Sequence, residues 1–393
     1  MRLQLKKEIQ IPDPFKLARY RKSPEFGPRI LFFSGGTALR ALSQKLIHYT
    51  HNSIHIVTPF DSGGSSAELR KAFSMPAVGD TRNRLMALAD QSLKGNPEIV
   101  RLFHYRFPKE KEYKDIVLEF DSMVQGEHDL IRDIPEPMRN ITEHYLLVFQ
   151  RMMPRDFELR GANIGNLVLA AGYLENDRHL DPIIYIYSKL AEIRGTVRPV
   201  TNMDLHLVTE LEDGTVLPGQ HLLTGKQVNH INSKVRGIYL TEDLRTLSPF
   251  LGSIQGKIEE LIREADLICF PMGSFFSSIV ANLLLDGIGK AISQNKSPKV
   301  FIPNTYFDPE LYGMTLEEQV KMLLKLLSNR TSGDNKVLDY IFLDNDITRY
   351  SGQVDQGLFQ RMGVSPLFLD FVTEESSPLI DPERLSQVLL SLT

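Results

Sequence analysis

The chain has 393 residues, 42% of them hydrophobic and 24% charged, with a formal net charge of −4. That balance suits a soluble globular protein with a large core and gives no global attraction to nucleic acid or an anionic membrane, so phosphate affinity must come from a local site. The only cysteine is Cys269, which excludes an intramolecular disulfide and a zinc–cysteine cluster; a cytoplasmic setting, with neither secretion nor membrane spanning, is expected.

Residues 1–28 read as an N-terminal extension whose lysines and arginines form a solvated surface. The first strand is expected over residues 29–33, followed by the loop Ser34-Gly35-Gly36-Thr37 and a helix over 38–49, where Leu39, Leu42, Leu46 and Ile47 recur at helical spacing. A second strand is expected at 53–58, with Asp61 just past its carboxyl end, where open α/β sheets place ligands. Gly63 and Gly64 let backbone N–H groups turn toward an anion, and Ser65 and Ser66 add hydroxyl donors. Asp80 reads as the cap of a helix starting at Thr81, and its carboxylate together with Asp61 would make an oxygen-ligand site for magnesium. Neither loop is the dinucleotide fingerprint or a Walker loop, so kinase and NAD readings gain nothing. One Gly-Gly turn after a strand is more often a tight connection than a ligand site; two within one βαβ distance reverse that preference.

From about 97 to 156 the chain is rich in charge and aromatic residues at helical spacing. It reads as a helical insert covering one end of the sheet, with an aromatic ligand cradle as the lesser alternative. Next, Asn163 and Asn166 stand three apart at a helix start: either Asn163 caps the helix or both give amide contacts to a ligand. The segments DLHLVTEL and VLPGQHLL alternate around the turn Glu212-Asp213-Gly214-Thr215 and predict a β-hairpin, preceded by Arg194, a candidate phosphate contact. His206 within it reads as a packing residue. The last third restores the α/β rhythm, with a strand at 265–270, the loop Pro271-Met272-Gly273-Ser274 and a helix over 275–285 that opens with Ser277 and Ser278. This makes a third candidate phosphate cradle. Strands at 299–302 and 337–343 follow, with Asn304 beyond one and Asp344 and Asp346 beyond the other, the two aspartates binding their own backbone. The sum is a three-layer, Rossmann-like, mostly parallel α/β fold with a helical insert and a small β-hairpin excursion, one ligand domain spanning residues 29–393.

Taken together, SGGTAL, DSGGSSA, the GDTRN box containing Asn83, the Gly161–Leu167 element, the Arg194–Pro199 strand and the Gly273–Ser278 box resemble, in order, the motifs of the CofD-like family. That family includes 2-phospho-lactate transferases and the YvcK-type gluconeogenesis and cell-envelope factors. The resemblance implies a transferase that moves a phosphoryl-linked group from a GDP- or UDP-linked donor with magnesium on Asp61 and Asp80, and a homodimer. Neutral donors would come from Gly35, Gly36, Thr37, Gly63, Gly64, Ser65, Ser66, Asn83, Asn163, Asn166, Gly273, Ser274, Ser277, Ser278 and Asn304. Asp61 is then the nearest candidate base, and Arg82 or Arg194 would offset developing charge. The chain departs from the pattern at Ser62, where the family has a second aspartate, and at Ala162, where YvcK-type proteins have histidine. The alternative implied by the same resemblance is a non-catalytic, nucleotide-sugar-binding regulator; NAD(P) binding is a weaker third.

Overall fold

Short apolar runs, buried on both faces, build the centre of the molecule, as parallel strands flanked by helices require. The computed structural model describes residues 8–90, 92, 95–225, 230–328 and 336–393. Seven parallel strands form one sheet: β1 (Ile30–Ser34), β2 (Ile54–Val57), β3 (Thr196–Pro199), and, after an excursion, β7 (Leu267–Phe270), β8 (Lys299–Phe301), β9 (Tyr340–Asp344) and β10 (Ser365–Leu369). Their order is β10-β9-β8-β7-β1-β2-β3. The excursion is a separate antiparallel sheet of β4 (His206–Leu211), β5 (Val216–Pro218) and β6 (Val235–Thr241), in the order β5-β4-β6.

The strand period divides β1 between two cores. Leu31 and Phe33 pack with the helices Gly256–Glu264, Ile288–Gln294 and Leu316–Ser328, while Ile30 and Phe32 pack with Arg40–Leu46 and the C-terminal helix Pro382–Ser391. The result is the expected three-layer α/β arrangement, with every pairing in the seven-stranded sheet parallel.

The helical insert has a core of its own at the β3 end. Helices Pro97–His104, Tyr113–Val124 and Met138–Met152 pack with Ile164–Glu175 and Leu180–Leu190, reaching Val57 and Val197 of the sheet. Phe107, Phe120 and Phe149 are completely buried there, with Phe120 and Phe149 edge to face at 6.2 Å. These rings serve packing rather than a ligand cradle.

Several boundaries differ from the reading of the sequence. Residues 1–7 of the extension lie outside the described residues, but 14–22 form a helix capped by Asp13 that docks on the C-terminal helix, Lys16 Nζ donating to the carbonyls of Ser391 (2.8 Å) and Thr393 (2.6 Å). So this segment is not simply a solvated extension. The hairpin forms as expected, with Glu210 opposite Val216, yet its second strand stops at Pro218 because Gly219 takes φ +123° and turns the chain into the short helix Gln220–Thr224. The expected helix over 275–285 is instead a π-helical turn, Phe275–Ile279, followed by a 3₁₀ turn, Val280–Leu283. No described helix is long and apolar enough to cross a membrane.

Candidate functional site

The sheet order brings the glycine loops together. From β1 the chain steps outward to β2 and then β3, while the later strands step outward from β7 to β10 on the other side of β1. The direction therefore reverses between β1 and β7, and the crevice outside such a reversal is where α/β sheets bind ligands. The adjacent strands β7, β1 and β2 each carry one of the loops.

A cavity of about 820 Å³ lies over these strand ends, within the range of small-molecule sites. It is lined by Gly35, Gly36 and Thr37 of the first loop, Asp61, Gly63, Gly64, Ser65 and Ser66 of the second, and Gly273, Ser274, Ser277 and Ser278 of the third. Asp80, Arg82, Asn83 and Asn166 complete the set that sequence had singled out. Three expected residues lie elsewhere. Arg194 sits in a different hollow beside His48 and His51, bound to Asp90 at 3.0 Å. Asn163 is buried, caps the helix Ile164–Glu175 through the Asn166 amide, and donates to the carbonyls of Phe103, His104 and Tyr105; capping is the reading that holds. Asn304 stands behind the third loop, accepting from the Gly273 amide and donating to its carbonyl.

Two helices point uncapped N-termini into the cavity. Gly64–Phe73 starts after Gly63 and Gly79–Ala87 after Val78, and neither flanking residue offers a side chain to the first-turn amides. The first-turn N–H groups, with the positive end of each helix dipole, are the elements from which an anion cradle is built. Asp80 lies within the first turn of the second helix rather than at its cap, with its Oδ2 accepting from the Thr58 hydroxyl at 3.2 Å. A side chain at Gly36 would overlap the Asp80 carboxylate and come within 3.0 Å of its Cα, so glycine there permits the first loop to touch this helix. Asp61 is close by: its Oδ2 would be 3.4 Å from a Cβ at Gly79, and Ser66 Oγ 2.5 Å from the same point.

The cations are arranged in depth. Arg84 is entirely buried behind the first loop, donating to the Gly35 carbonyl (2.9 Å) and Ser43 Oγ (2.6 Å); burial pushes its guanidinium down to about 10, and the nearby Asp80 charge pulls it back up. Arg82 is 7% exposed, and among the described residues its side chain makes a single hydrogen bond, a long one of 3.4 Å, to Asn166. Burial lowers its pKa, Arg106 and Arg40 lower it further, and Tyr187 and the Asp80 charge partly oppose the fall. A cation so enclosed without a bonded carboxylate is poised for an anion. At the mouth, Arg160 is held by Glu158 at 2.7 Å, while Arg106 donates to the Gly161 carbonyl across from Lys109.

The third loop departs from a phosphate cradle. Its amides are already taken: Phe275 N donates to Asp308 (2.9 Å), and Phe276 N and Ser277 N to Glu310 (2.9 and 2.8 Å), with the Ser277 hydroxyl also donating to Glu310. Ser277 and Asn304 therefore shape the loop, and Ser274 and Ser278 are its parts turned to the cavity. Burial, then the neighbouring Asp308 charge, pushes Glu310 up to about 7. A carboxyl raised in the folded state adds stability below its unfolded pKa and loses that contribution as pH rises through the folded value. Melting temperature should accordingly decline from about pH 4.5 toward about 7, and Glu310→Gln should flatten that decline; an unchanged slope in thermal melts across this range would refute it.

Sequence reasoning missed Arg84, the Asp308–Glu310 pair and Gln220, which lines the cavity from the short helix that follows the small sheet's β5. It also did not foresee that Ser62 ties that sheet to the Asp61 loop, its Oγ lying 2.8 Å from His221 Nδ1 and accepting from the His221 amide.

A parallel sheet with a reversal point, and a cavity at its strand ends lined by two helix N-termini, Asp61 and Asp80, define an α/β protein with a candidate ligand site at that edge. The family model for 2-phospho-L-lactate transferase CofD matches residues 30–367, and the chain belongs to the CofD family. It is 28% identical over 385 residues to a gluconeogenesis factor of Listeria monocytogenes, covering 94% of this chain and 96% of the relative. A gluconeogenesis factor of Bacillus subtilis is 29% identical over 297 residues, covering 75% and 74%. Among solved structures, a UPF0052-family protein of Bacillus halodurans superposes with a TM-score of 0.66 at 25% identity, covering 92% of this chain and 99% of that one.

Proposed function

We propose that this chain binds a nucleoside-diphosphate-linked small molecule, GDP- or UDP-linked, with magnesium, and transfers a phosphoryl-linked group from it to an acceptor hydroxyl. The observation that carries the reading is the meeting of two uncapped helix N-termini, the enclosed Arg82 and two carboxylates in one cavity. The amides of the Gly64 and Gly79 helix starts and of the first loop would hold the diphosphate, Arg82 would offset charge on the departing nucleoside monophosphate, and Ser274 and Ser278 would orient the ligand.

The donor set fits a hard cation. Asp61, Asp80 and the Ser66 hydroxyl supply oxygens, and no group of three or more His, Cys, Asp or Glu occurs among the described residues, so water and phosphate oxygens would fill the remaining positions, as magnesium prefers. When bound, the ion neutralises diphosphate charge and fixes its orientation. The reading carries with it a cytoplasmic setting and a homodimer.

A second reading, a regulator that binds a nucleotide sugar without turnover, is favoured by Ser62: its hydroxyl is engaged by His221, leaving a single acid in this loop. The names of the curated relatives, gluconeogenesis factors, lean the same way. Incubating the protein with magnesium, a GDP- or UDP-linked donor and a hydroxyl acceptor separates them. Catalytic release of nucleoside monophosphate supports transfer, and saturable binding with no release supports the regulator.

A further inference from the structure

The geometry points to Gln220 as a specificity-determining residue that pairs, through its side-chain amide, with a neutral donor–acceptor edge on the organic part of the ligand. This deepens the reading above and rests on it. Gln220 opens the five-residue helix Gln220–Thr224 and lines the cavity with only 8% exposure. Its Oε1 is buried with no hydrogen-bond partner. Buried amides are ordinarily satisfied, so an unpaired one at a cavity wall is placed for something that arrives later.

Its position is held independently of its side chain. The neighbouring His221 is fastened to Ser62 of the Asp61 loop through both its ring and its backbone amide, and Gly219, at φ +123°, brings the chain back against that serine. The amide is thus fixed beside the second glycine loop. Rotation about its soft terminal torsion would bring the buried Oε1 to the cavity, where the carboxamide offers one donor and one acceptor side by side, matching a lactam edge of a nucleobase or adjacent sugar hydroxyls, and is neutral toward phosphate. Gln220 would therefore distinguish ligands by what the diphosphate carries.

The experiment is Gln220→Leu, close in size and without polar atoms, titrated in calorimetry with GDP, UDP-glucose and inorganic pyrophosphate, each with magnesium, beside a melt of the ligand-free protein. We expect about a tenfold loss of affinity or more for whichever of GDP and UDP-glucose the wild type binds, unchanged pyrophosphate binding, and a ligand-free melting temperature equal to or above wild type, because an unpaired buried polar group has been removed. A loss for GDP and UDP-glucose alike assigns the contact to the nucleoside, and a loss for UDP-glucose alone to the sugar. Equal loss for pyrophosphate, unchanged affinity throughout, or a lower melting temperature with unchanged affinity would overturn the inference while leaving the diphosphate reading intact. Absence of binding by the wild type to all the probes would remove both.

Discussion

Asp80→Asn should abolish the magnesium-dependent part of nucleotide binding, a loss of about a hundredfold or more, near 3 kcal/mol. The substitution keeps the shape of the side chain and an oxygen for the Thr58 hydroxyl at 3.2 Å, so the first loop and the Gly79–Ala87 helix retain their contact. What disappears is one negative charge in a site where two carboxylates face two enclosed arginines. A neutral amide is a poor ligand for a small hard cation, and the remaining acid, Asp61, has no second carboxylate beside it in its own loop because Ser62 stands there. The Asp80 charge also offsets fully buried Arg84, so the ligand-free variant should melt a few degrees lower. Asp61→Asn provides the contrast: it should lose the same magnesium dependence without that fall in stability. Calorimetry of GDP and UDP-glucose with and without magnesium reads the first effect, and an Asp80→Asn protein whose affinity still rises with magnesium would exclude Asp80 as a metal ligand.

The second large effect is steric. Gly36→Ala would place a Cβ in overlap with an Asp80 carboxylate oxygen, 3.0 Å from the Asp80 Cα and 3.1 Å from Asn83 Nδ2. The Asp80 and Asn83 side-chain ends could turn aside, but the Asp80 Cα is backbone in the first turn of a helix and cannot, so the loop must move away from the helix. Overpacking of this kind costs about 1–3 kcal/mol of stability. The larger consequence falls on the ligand, since the displaced loop no longer presents its amides beside those of the Gly64 helix; binding to any diphosphate, pyrophosphate included, should fall by about a hundredfold. Gly214→Ala, in the hairpin turn and outside the cavity lining, is the matched control, because a Cβ there meets open space and the cost is confined to a φ of +89°. Comparable pyrophosphate affinity in Gly36→Ala and wild type would mean the first loop does not hold phosphate.

Much of this site was legible because its parts are local. A strand, a glycine turn and a helix start lie within a dozen or so residues of one another, and each turn type follows from the few residues that build it. Their convergence followed from parallel topology, which puts all such turns on one edge of the sheet. The rest depends on contacts between distant segments. The third loop looked like a phosphate cradle by composition, yet residues 33 positions downstream, Asp308 and Glu310, occupy its amides from behind. Gln220 was hidden inside an apparent strand, and only the left-handed Gly219 shows where that strand stops. Two strands went unread for reasons of pattern. β10 carries Pro366 and is half-exposed along most of its length, as an edge strand tolerates, and β6 is partly exposed on both faces, so neither shows the apolar run or the clean alternation that marks a strand. Arg84, in a helix start full of polar residues, gave no sign of complete burial.

The central claim, that the loops after β1 and β2 form one diphosphate cavity whose metal is held by Asp61 and Asp80, is tested most directly by a crystal structure of the protein grown with GDP and manganese, located by its anomalous signal. The account predicts a single strong anomalous peak in contact with both carboxylates, with the diphosphate oxygens on the amides of Gly36 to Thr37 and Gly64 to Ser66. Nucleotide bound instead in the hollow beside Arg194, or manganese away from both acids while the diphosphate is ordered, would contradict it.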